Sequence, residues 1–310
     1  MAILLLGATG FVGRNISKVF DGRGIPLLKS SKSEGLDLLN LQNVVDFFKS
    51  DDIDYIINCA AHVGSLNYVS QHAADVIKDN SRMLLNLYEA TSLLKKKPVI
   101  INPIANCTYP SSSNIFTEEE LWNGPLHRSV MAYGSTKRLL LNIAESFSWQ
   151  HNIKSINLLV PNMYGPFDST DPNKAHALNA LISKFVKARE QNKSEIDIWG
   201  TGVAIREWLY AEDFAKIVFE IVDTNKTIGF AEPINIGQNF GLSVKELVEI
   251  INGKFQNKFL INWDLTMPDG APKKVMDDRK FTKVFPDFKF QDFNLGIENT
   301  IKYYHSVYPY

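Results

Sequence analysis

Tyr133 and Lys137 are the two residues of this sequence whose types and spacing most directly suggest chemistry. They open a stretch of helical character, and a spacing of four residues places two side chains on one face of a helix. A phenol with a reference pKa of about 10 is a poor proton donor near pH 7, and a nearby ammonium lowers that pKa by favouring the phenolate. We therefore expect Tyr133 and Lys137 to cooperate in the reduction of a ketone.

A glycine-rich segment near the start of the chain suits a dinucleotide cofactor. Gly7, Gly10 and Gly13 lie between an apolar run at 2–6 and an amphipathic stretch at 11–20. Glycines at a strand-to-helix turn let the backbone approach a pyrophosphate, which then sits at the N-terminus of the helix. The residues expected to bind the cofactor here are Gly7, Thr9, Gly10, Phe11, Val12 and Gly13.

The residues that follow the second apolar run indicate which nicotinamide cofactor is used. An enzyme that uses NAD usually places Asp or Glu there to bind the ribose 2′-hydroxyl. This chain has Lys29, Ser30, Ser31 and Lys32 instead. Cations and hydroxyls suit a 2′-phosphate, so the sequence predicts NADP(H), with Lys29, Ser30 and Ser31 among its contacts.

The order of apolar runs and amphipathic stretches predicts an α/β fold. Strand-like runs at 25–29, 55–59, 98–102 and 155–160 alternate with helical stretches at 41–50, 73–94 and 131–150. This alternation is typical of a Rossmann fold with a doubly wound parallel sheet, here over residues 1–162. Further elements are expected at 177–191, 196–199, 213–222 and 243–253. They predict a smaller substrate-binding lobe over 163–310, from which about 207–236 returns to the Rossmann domain.

Composition and charge exclude several classes of protein. The formal net charge of the 310 residues is −1, so no global field attracts nucleic acid or an anionic membrane. The longest apolar runs are strand-length, far short of a membrane span. Cys59 and Cys107, the two cysteines, show no metal-type spacing, and the chain opens on a strand without a signal peptide. We expect a cytoplasmic protein without a metal, a membrane partner or a nucleic-acid partner.

Motifs spread along the chain resemble those of the extended short-chain dehydrogenase/reductases, and within them the GDP-L-fucose synthase branch. These motifs are Asp37-Leu38-Leu39, Asp46-Phe47-Phe48, Ala60-Ala61-His62-Val63-Gly64, Asn106-Cys107-Thr108-Tyr109-Pro110, Pro161-Asn162-Met163-Tyr164-Gly165-Pro166, Trp199-Gly200-Thr201-Gly202, Arg206-Glu207, Pro268-Asp269-Gly270 and Lys273-Lys274. The resemblance covers most of the chain from Ile3 to about Asp277. It implies a GDP-linked 4-keto-6-deoxy sugar as the substrate, epimerised at C3 and C5 and then reduced at C4 by NADPH.

The same resemblance assigns roles to individual residues. It makes Cys107 the base and His176 the acid of the epimerisation, while Tyr133 protonates the C4 oxygen and Lys137 also holds the nicotinamide ribose. It adds to the cofactor contacts Asp37, Leu38, Ala60 and Ala61. It assigns to the GDP-sugar Asn162, Lys184, Trp199, Arg206 and Lys274.

Ala105 is a departure from the family pattern. The family carries Ser or Thr at this position, whose hydroxyl donates to the C4 oxygen. The loss of one such donor typically costs about 10²–10³ in rate. Asn106 and Thr108 are polar neighbours, but strand alternation aims them away from the face shared by Ala105 and Cys107. A different substrate, a shifted pose or a bound water would each resolve the conflict.

Three functional hypotheses therefore stand. The first is the bifunctional epimerase/reductase. The second is a C4-reductase only, or an enzyme for a related GDP-sugar such as a 3,6-dideoxyhexose or a 6-deoxyheptose. The third is a non-catalytic NADP-binding module. In each case we expect a homodimer, because the stretch from Met131 carries apolar residues on more than one face.

Overall fold

The structure is a computed structural model that describes residues 1–49, 52–113, 115–171, 174–226, 232–267, 269 and 271–310. The strands are β1 (Ile3–Leu6), β2 (Leu28–Ser30), β3 (Tyr55–Asn58), β4 (Val99–Ala105), β5 (Ser155–Val160), β6 (Asn162–Tyr164), β7 (Glu195–Trp199), β8 (Ile205–Arg206), β9 (Trp208–Tyr210), β10 (Pro233–Asn235), β11 (Leu242–Ser243), β12 (Leu260–Asp264) and β13 (Lys273–Lys274). The helices are α1 (Phe11–Gly22), α2 (Leu41–Lys49), α3 (Leu66–Gln71), α4 (Ala73–Leu93), α5 (Met131–His151), α6 (Ala177–Glu190), α7 (Ala211–Asp223), α8 (Val244–Asn252), α9 (Arg279–Val284) and α10 (Phe293–Ser306).

A six-stranded parallel sheet organises the molecule. Its order is β10-β5-β4-β3-β1-β2, so the direction of winding reverses between β1 and β3. Ligands of open α/β sheets bind outside the carboxyl ends of the strands at such a reversal. The expected Rossmann doubly wound sheet is confirmed, and the reversal lies where the glycine-rich turn leaves β1.

The two faces of the sheet carry separate apolar cores. Leu4, Ile56 and Ile100 point to the layer of α2, α4 and α5. Their neighbours Leu5 and Ile57 point to the opposite layer, which contains α1 and α7. Side chains alternate along a strand, and every residue of β1 and β3 is buried, so the sheet is covered on both sides.

The second lobe is built from α6, α8, α10 and three small sheets. Its core combines aliphatic and aromatic side chains, with Phe185, Phe255 and Phe259 in mutual contact. Between its elements the chain returns to the large sheet, because α7 packs against α1 and β10 pairs with β5. Among the described residues no helix is both long enough and apolar enough to span a bilayer.

Some predicted elements differ in extent. The second strand was expected at 25–29, but β2 covers Leu28–Ser30, because α1 runs on to Gly22 and the Ile25 N–H still bonds to the Phe20 carbonyl. The helix expected to end at Ser50 is described to Lys49, and Ser50 lies outside the described residues, as do Pro268 and Gly270 of the quoted motif. The strands and helices from β12 onward were not predicted from the sequence.

Candidate functional site

The glycine turn after β1 is as tight as its sequence implies. Gly7 has φ +71°, and an added Cβ there would lie 2.8 Å from the backbone nitrogen of Ala60. A Cβ on Gly13 would lie 2.2 Å from the carbonyl oxygen of Gly7, while one on Gly10 would meet only that oxygen, at 3.3 Å. Gly7 and Gly13 therefore allow close packing, and Gly10 keeps the mouth of the turn open.

The N-terminus of α1 fits a pyrophosphate. Its N-cap is Gly10, no side chain among the described residues caps it, and its first turn contains no acid. The first N–H groups of a helix lack intrahelical partners and favour an anion. Thr9 is exposed beside them, Phe11 and Val12 are half-buried in the first turn, and Ala61 is half-buried after β3.

The end of β2 holds the residues predicted to bind the 2′-phosphate. Lys29 pairs with Asp21 at 2.8 Å, and Lys32 lies 3.4 Å from Asp37. The Ser31 hydroxyl donates to Glu34. These exposed pairs are weak, so a phosphate can compete for the lysines. Ser30, the last residue of β2, is buried, and so is Leu38.

Tyr133 and Lys137 lie in the first two turns of α5, with the Lys137 ammonium 5.3 Å from the centre of the Tyr133 ring. Lys137 is only 7% exposed, and its Nζ donates to the Pro103 carbonyl at 3.3 Å. Burial lowers the pKa of Lys137 to about 8. The expected lowering of the Tyr133 pKa is not seen in this state, because burial of the phenol raises it above its ordinary value.

Cys107 lies directly against the helix that carries this pair. It sits in a 3₁₀ turn, Asn106–Thr108, that follows β4. A Cβ added at Gly134 would lie 2.7 Å from the carbonyl oxygen of Cys107, so the turn and α5 are in close contact. Burial raises the pKa of the Cys107 thiol to about 11, although the charges of Lys274 and Lys137 oppose this.

The 3₁₀ turn corrects the expectation that strand alternation continues through Asn106 and Thr108. Because β4 ends at Ala105, these residues follow the turn and not a pleat. Thr108 donates its hydroxyl hydrogen to the Ala105 carbonyl at 2.7 Å, so that hydrogen is already engaged. The Asn106 Nδ2 is buried without a hydrogen-bond partner among the described residues. Thr108 therefore does not supply the donor that Ala105 lacks, whereas the Asn106 Nδ2 hydrogens are not engaged.

His176 is the N-cap residue of α6 and packs against the cofactor turn. Its ring lies 5.2 Å from the ring of Phe11. Asp168, which the sequence analysis missed, accepts from the His176 backbone N–H at 2.8 Å and contacts the ring Nδ1 at 3.1 Å. His176 therefore borders the first turn of α1.

Arg206 and Lys274 form a cationic pair on the substrate lobe. They face each other across the β8–β13 ladder. Burial lowers the pKa of both, and the charge of Arg206 lowers that of Lys274 further. The charge of Lys274 also lowers the pKa of the Cys107 thiol, so Lys274 lies near Cys107.

Glu207, next to Arg206, was given no role from the sequence. It is fully buried, and its two carboxylate oxygens accept from the backbone N–H groups of Gln238 and Met276. Burial raises the pKa of Glu207 to about 7. The half-buried Asn162 of β6 donates to the Glu207 carbonyl, directly before β9, at 3.4 Å.

Lys184 and Trp199 lie on an exposed rim of the lobe. Lys184 donates to the Asp197 carbonyl in β7, and Trp199, which ends that strand, is 60% exposed. The next residues contact the Arg206 region, because Asp269 accepts from the Thr201 backbone N–H at 2.7 Å and, through its carbonyl, from Arg206 at 3.3 Å. The rim and the cationic pair form one continuous band.

Arg138 is a further residue that the sequence analysis missed. Its guanidinium donates to the carbonyls of Thr108, Gly124 and Leu121 at 2.8–3.0 Å. It therefore fixes the Cys107 turn to α5 one helical turn beyond Gly134. No local pattern predicts this role, since the carbonyls come from two segments that are distant from Arg138 in the sequence.

Comparison with known proteins agrees with this fold. A family model described as the NAD dependent epimerase/dehydratase family matches residues 3–237. The chain is similar to the probable GDP-L-fucose synthase 1 of Oryza sativa subsp. japonica, with 29% identity over 285 residues, 91% of this chain and 85% of the relative. Among solved structures it is similar to a GDP-6-OMe-4-keto-L-xylo-heptose reductase from C. jejuni, with 22% identity, a TM-score of 0.87 and 98% coverage of both chains. It is also similar to a GDP-L-fucose synthetase from Naegleria fowleri bound to NADP, with 23% identity, a TM-score of 0.85 and coverage of 99% of this chain and 94% of that one.

Proposed function

We propose that this chain, which belongs to the NAD dependent epimerase/dehydratase family, is an NADP(H)-dependent epimerase/reductase of a GDP-linked 4-keto-6-deoxy sugar. The contact between Gly134 and the Cys107 carbonyl is the observation that carries the proposal. It joins the residues suited to reduction, Tyr133 and Lys137, to the thiol suited to proton exchange at the neighbouring carbons. Epimerisation and reduction can therefore share one bound ketone.

The cofactor site supports NADP(H). The open glycine turn and the uncapped start of α1 suit the pyrophosphate, and Lys29 with Ser31 suits the 2′-phosphate. Bound there, the cofactor would supply a hydride to the C4 carbon. Tyr133 would donate its proton to the C4 oxygen. Lys137 would stabilise the phenolate that this leaves.

Proton exchange at C3 and C5 is assigned to Cys107 and His176. The C4 ketone acidifies both carbons, and inversion needs one group on each side of the sugar ring. Burial holds the Cys107 thiol protonated near pH 7, since its pKa is raised to about 11. The thiolate therefore has to form within the complex, where Lys274 and Lys137 favour it.

The band of polar residues on the second lobe is assigned to the nucleotide diphosphate. Arg206 presents a planar fork for phosphate oxygens, and Lys274 adds a point charge. Asn162 lies beside them, because it donates to the carbonyl of Glu207, the neighbour of Arg206. Lys184 and the exposed Trp199 are assigned to the outer part of the nucleotide, where an indole offers a face for stacking.

The test combines NADPH oxidation at 340 nm with isotope analysis. The protein is given GDP-4-keto-6-deoxymannose and NADPH in deuterated buffer. Tyr133→Phe is compared with Tyr303→Phe, which alters a tyrosine of α10 outside the site. We expect NADPH consumption that collapses only in Tyr133→Phe, and deuterium at C3 and C5 of the product. Absence of both turnover and deuterium would refute the proposal.

A second candidate is a C4-reductase alone, acting on a related GDP-sugar such as a heptose. The high pKa of the Cys107 thiol favours reduction without epimerisation, and the missing donor at Ala105 fits a different substrate. Reduction of a GDP-4-keto-heptose without deuterium at either neighbouring carbon would support it. Deuterium at those carbons would exclude it.

The protein is further proposed to be a cytoplasmic homodimer that serves polysaccharide biosynthesis. Ile77 and Leu85 lie two turns apart on α4 and are 41% and 46% exposed, and Met131 at the start of α5 is 57% exposed. Apolar side chains at such positions suit a helix-to-helix interface between two copies. Solution scattering would refute the dimer if it gave the mass of one chain.

A further inference from the structure

The Asp168 carboxylate makes two hydrogen-bonding contacts with His176. One carboxylate oxygen accepts from the backbone N–H of His176 at 2.8 Å, and the other lies 3.1 Å from the ring Nδ1. The Asp168 side chain is only 3% exposed, whereas that of His176 is 39% exposed. The imidazole is thus held from the protein side and presents its other edge outward.

The Asp168 carboxylate determines which ring nitrogen of His176 carries a hydrogen. A carboxylate oxygen only accepts hydrogen bonds, so the nitrogen that faces it must carry a hydrogen. Nδ1 therefore carries a hydrogen, and Nε2 is the nitrogen left to exchange a proton with a substrate. Phe11, 5.2 Å away and tilted by 44°, limits rotation of the ring on another side.

The loop that carries Asp168 is itself firmly anchored. Asn15 of α1 is buried and donates to the Pro166 carbonyl at 2.9 Å. From α6, Asn179 accepts from the Gly165 N–H at 3.1 Å and donates to the Gly165 carbonyl at 2.7 Å. The anchors come from the cofactor helix and from the helix that His176 caps.

The backbone conformation of Phe167 is unfavourable, and the contacts that anchor the loop must offset its free energy. Its φ is +75°, a left-handed conformation that is unfavourable for a residue with a bulky side chain. The Arg14 guanidinium lies 4.5 Å above its ring. A strained residue held in this way, next to the buried carboxylate, indicates that the position of Asp168 is specifically maintained.

We propose that Asp168 is a positioning residue that holds His176 in the Nδ1–H tautomer and so makes Nε2 the proton-exchanging atom of the site. The assignment of His176 to epimerisation rests on the function proposed above. The tautomer of His176 does not depend on that function, so the tautomer and the role in epimerisation can be tested separately.

The first measurement is the tautomer of His176 by nitrogen NMR of histidine-labelled protein, with the signal identified by its loss in His176→Gln. Neutral His176 of the wild type should carry its hydrogen on Nδ1. In Asp168→Asn, the amide oxygen should keep the bond to the backbone N–H. Its NH₂ group would then face the ring, so the hydrogen should move to Nε2. A wild-type hydrogen on Nε2 would overturn the proposal without any variant.

The second measurement separates positioning from general damage. Deuterium exchange at C3 and C5 should fall by about 10²–10⁴ in Asp168→Asn, the range of general acid–base contributions. Reduction of a ketone that is already epimerised should be retained. Asp292→Asn is the matched control, because Asp292 caps α10 through the Leu295 N–H and lies outside the site. Equal losses of exchange and reduction in Asp168→Asn would overturn the positioning role.

The outcomes distinguish the two proposals. If the tautomer switches but no ketone is turned over by the wild type, the proposed function fails and the structural role of Asp168 stands. If the wild type turns over and the tautomer is the same in both proteins, the proposed function stands and the role of Asp168 is refuted.

Discussion

Replacing Lys137 by Met should stabilise the folded protein near pH 7 while it abolishes ketone reduction. Lys137 is 7% exposed, and its Nζ makes a hydrogen bond to the Pro103 carbonyl. Burial lowers its pKa from 10.5 to about 8. A shift of this size corresponds to about 3 kcal/mol that opposes folding at neutral pH. Losing the hydrogen bond to Pro103 destabilises the variant by about 1 kcal/mol, so Lys137→Met should be more stable than the wild type by about 2 kcal/mol.

The dependence on pH makes this prediction specific. Between pH 8 and 10.5 the unfolded chain holds the proton of Lys137 and the folded chain does not, so the stability of the wild type rises with pH over that window. The advantage of Lys137→Met should therefore be full below pH 8 and vanish near about pH 9.5, and by pH 10.5 the wild type should be the more stable protein by about 1 kcal/mol, the contribution of its hydrogen bond. Reduction should fail throughout, because Tyr133 loses its cationic neighbour.

Chemical denaturation of both proteins from pH 7 to 10.5 measures this difference. Lys302→Met is the control, since Lys302 is an exposed lysine of α10 and its replacement should change the free energy of unfolding by less than about 0.5 kcal/mol. A Lys137→Met variant that is less stable than the wild type at pH 7, with no convergence at high pH, would refute the desolvation argument.

Three further predictions concern the same region. Ala105→Ser should raise the rate of reduction by up to about 10²-fold if it restores a donor to the C4 oxygen, and an unchanged kcat would mean that another group already donates. Glu207→Gln should remove a pH dependence. The pKa of Glu207 is raised by burial from 4.5 to about 7, so the wild type should lose about 3 kcal/mol of stability relative to the variant as pH rises from 4.5 to 7 in denaturation curves. Gly134→Ala should destabilise by about 1–3 kcal/mol because its Cβ would meet the Cys107 carbonyl, whereas Gly22→Ala, with open space around it, should not.

The long elements of the nucleotide-binding half could be predicted because each carries a repeated signal. The α1, α4 and α5 helices begin at the residues expected, and β5 has the bounds expected, since burial follows the period of each element. The short strands of the second lobe carry too few residues for a period to show. β8 and β13, which hold Arg206 and Lys274, are two residues each.

The site was predicted as a set of residue types and not as an electrostatic environment. Spacing placed Tyr133 and Lys137 on one face of α5, and the structure keeps them together. Spacing could not show that burial would raise the pKa of the phenol. Asp168 also stayed hidden, because its bond to His176 closes a loop of eight residues that no helical or strand period describes.

The return of the chain to the large sheet has a consequence for the order of folding. β5 ends at Val160, but its outer neighbour β10 is Pro233–Asn235, and the helix that covers α1, α7, also comes after the first strands of the second lobe. A nascent chain that stops at residue 162 would have β5 as a bare edge, with the apolar side chains beside α1 uncovered. The dinucleotide-binding half therefore completes its sheet only after much of the second lobe has been synthesised, and a fragment cut at residue 162 should aggregate instead of folding alone.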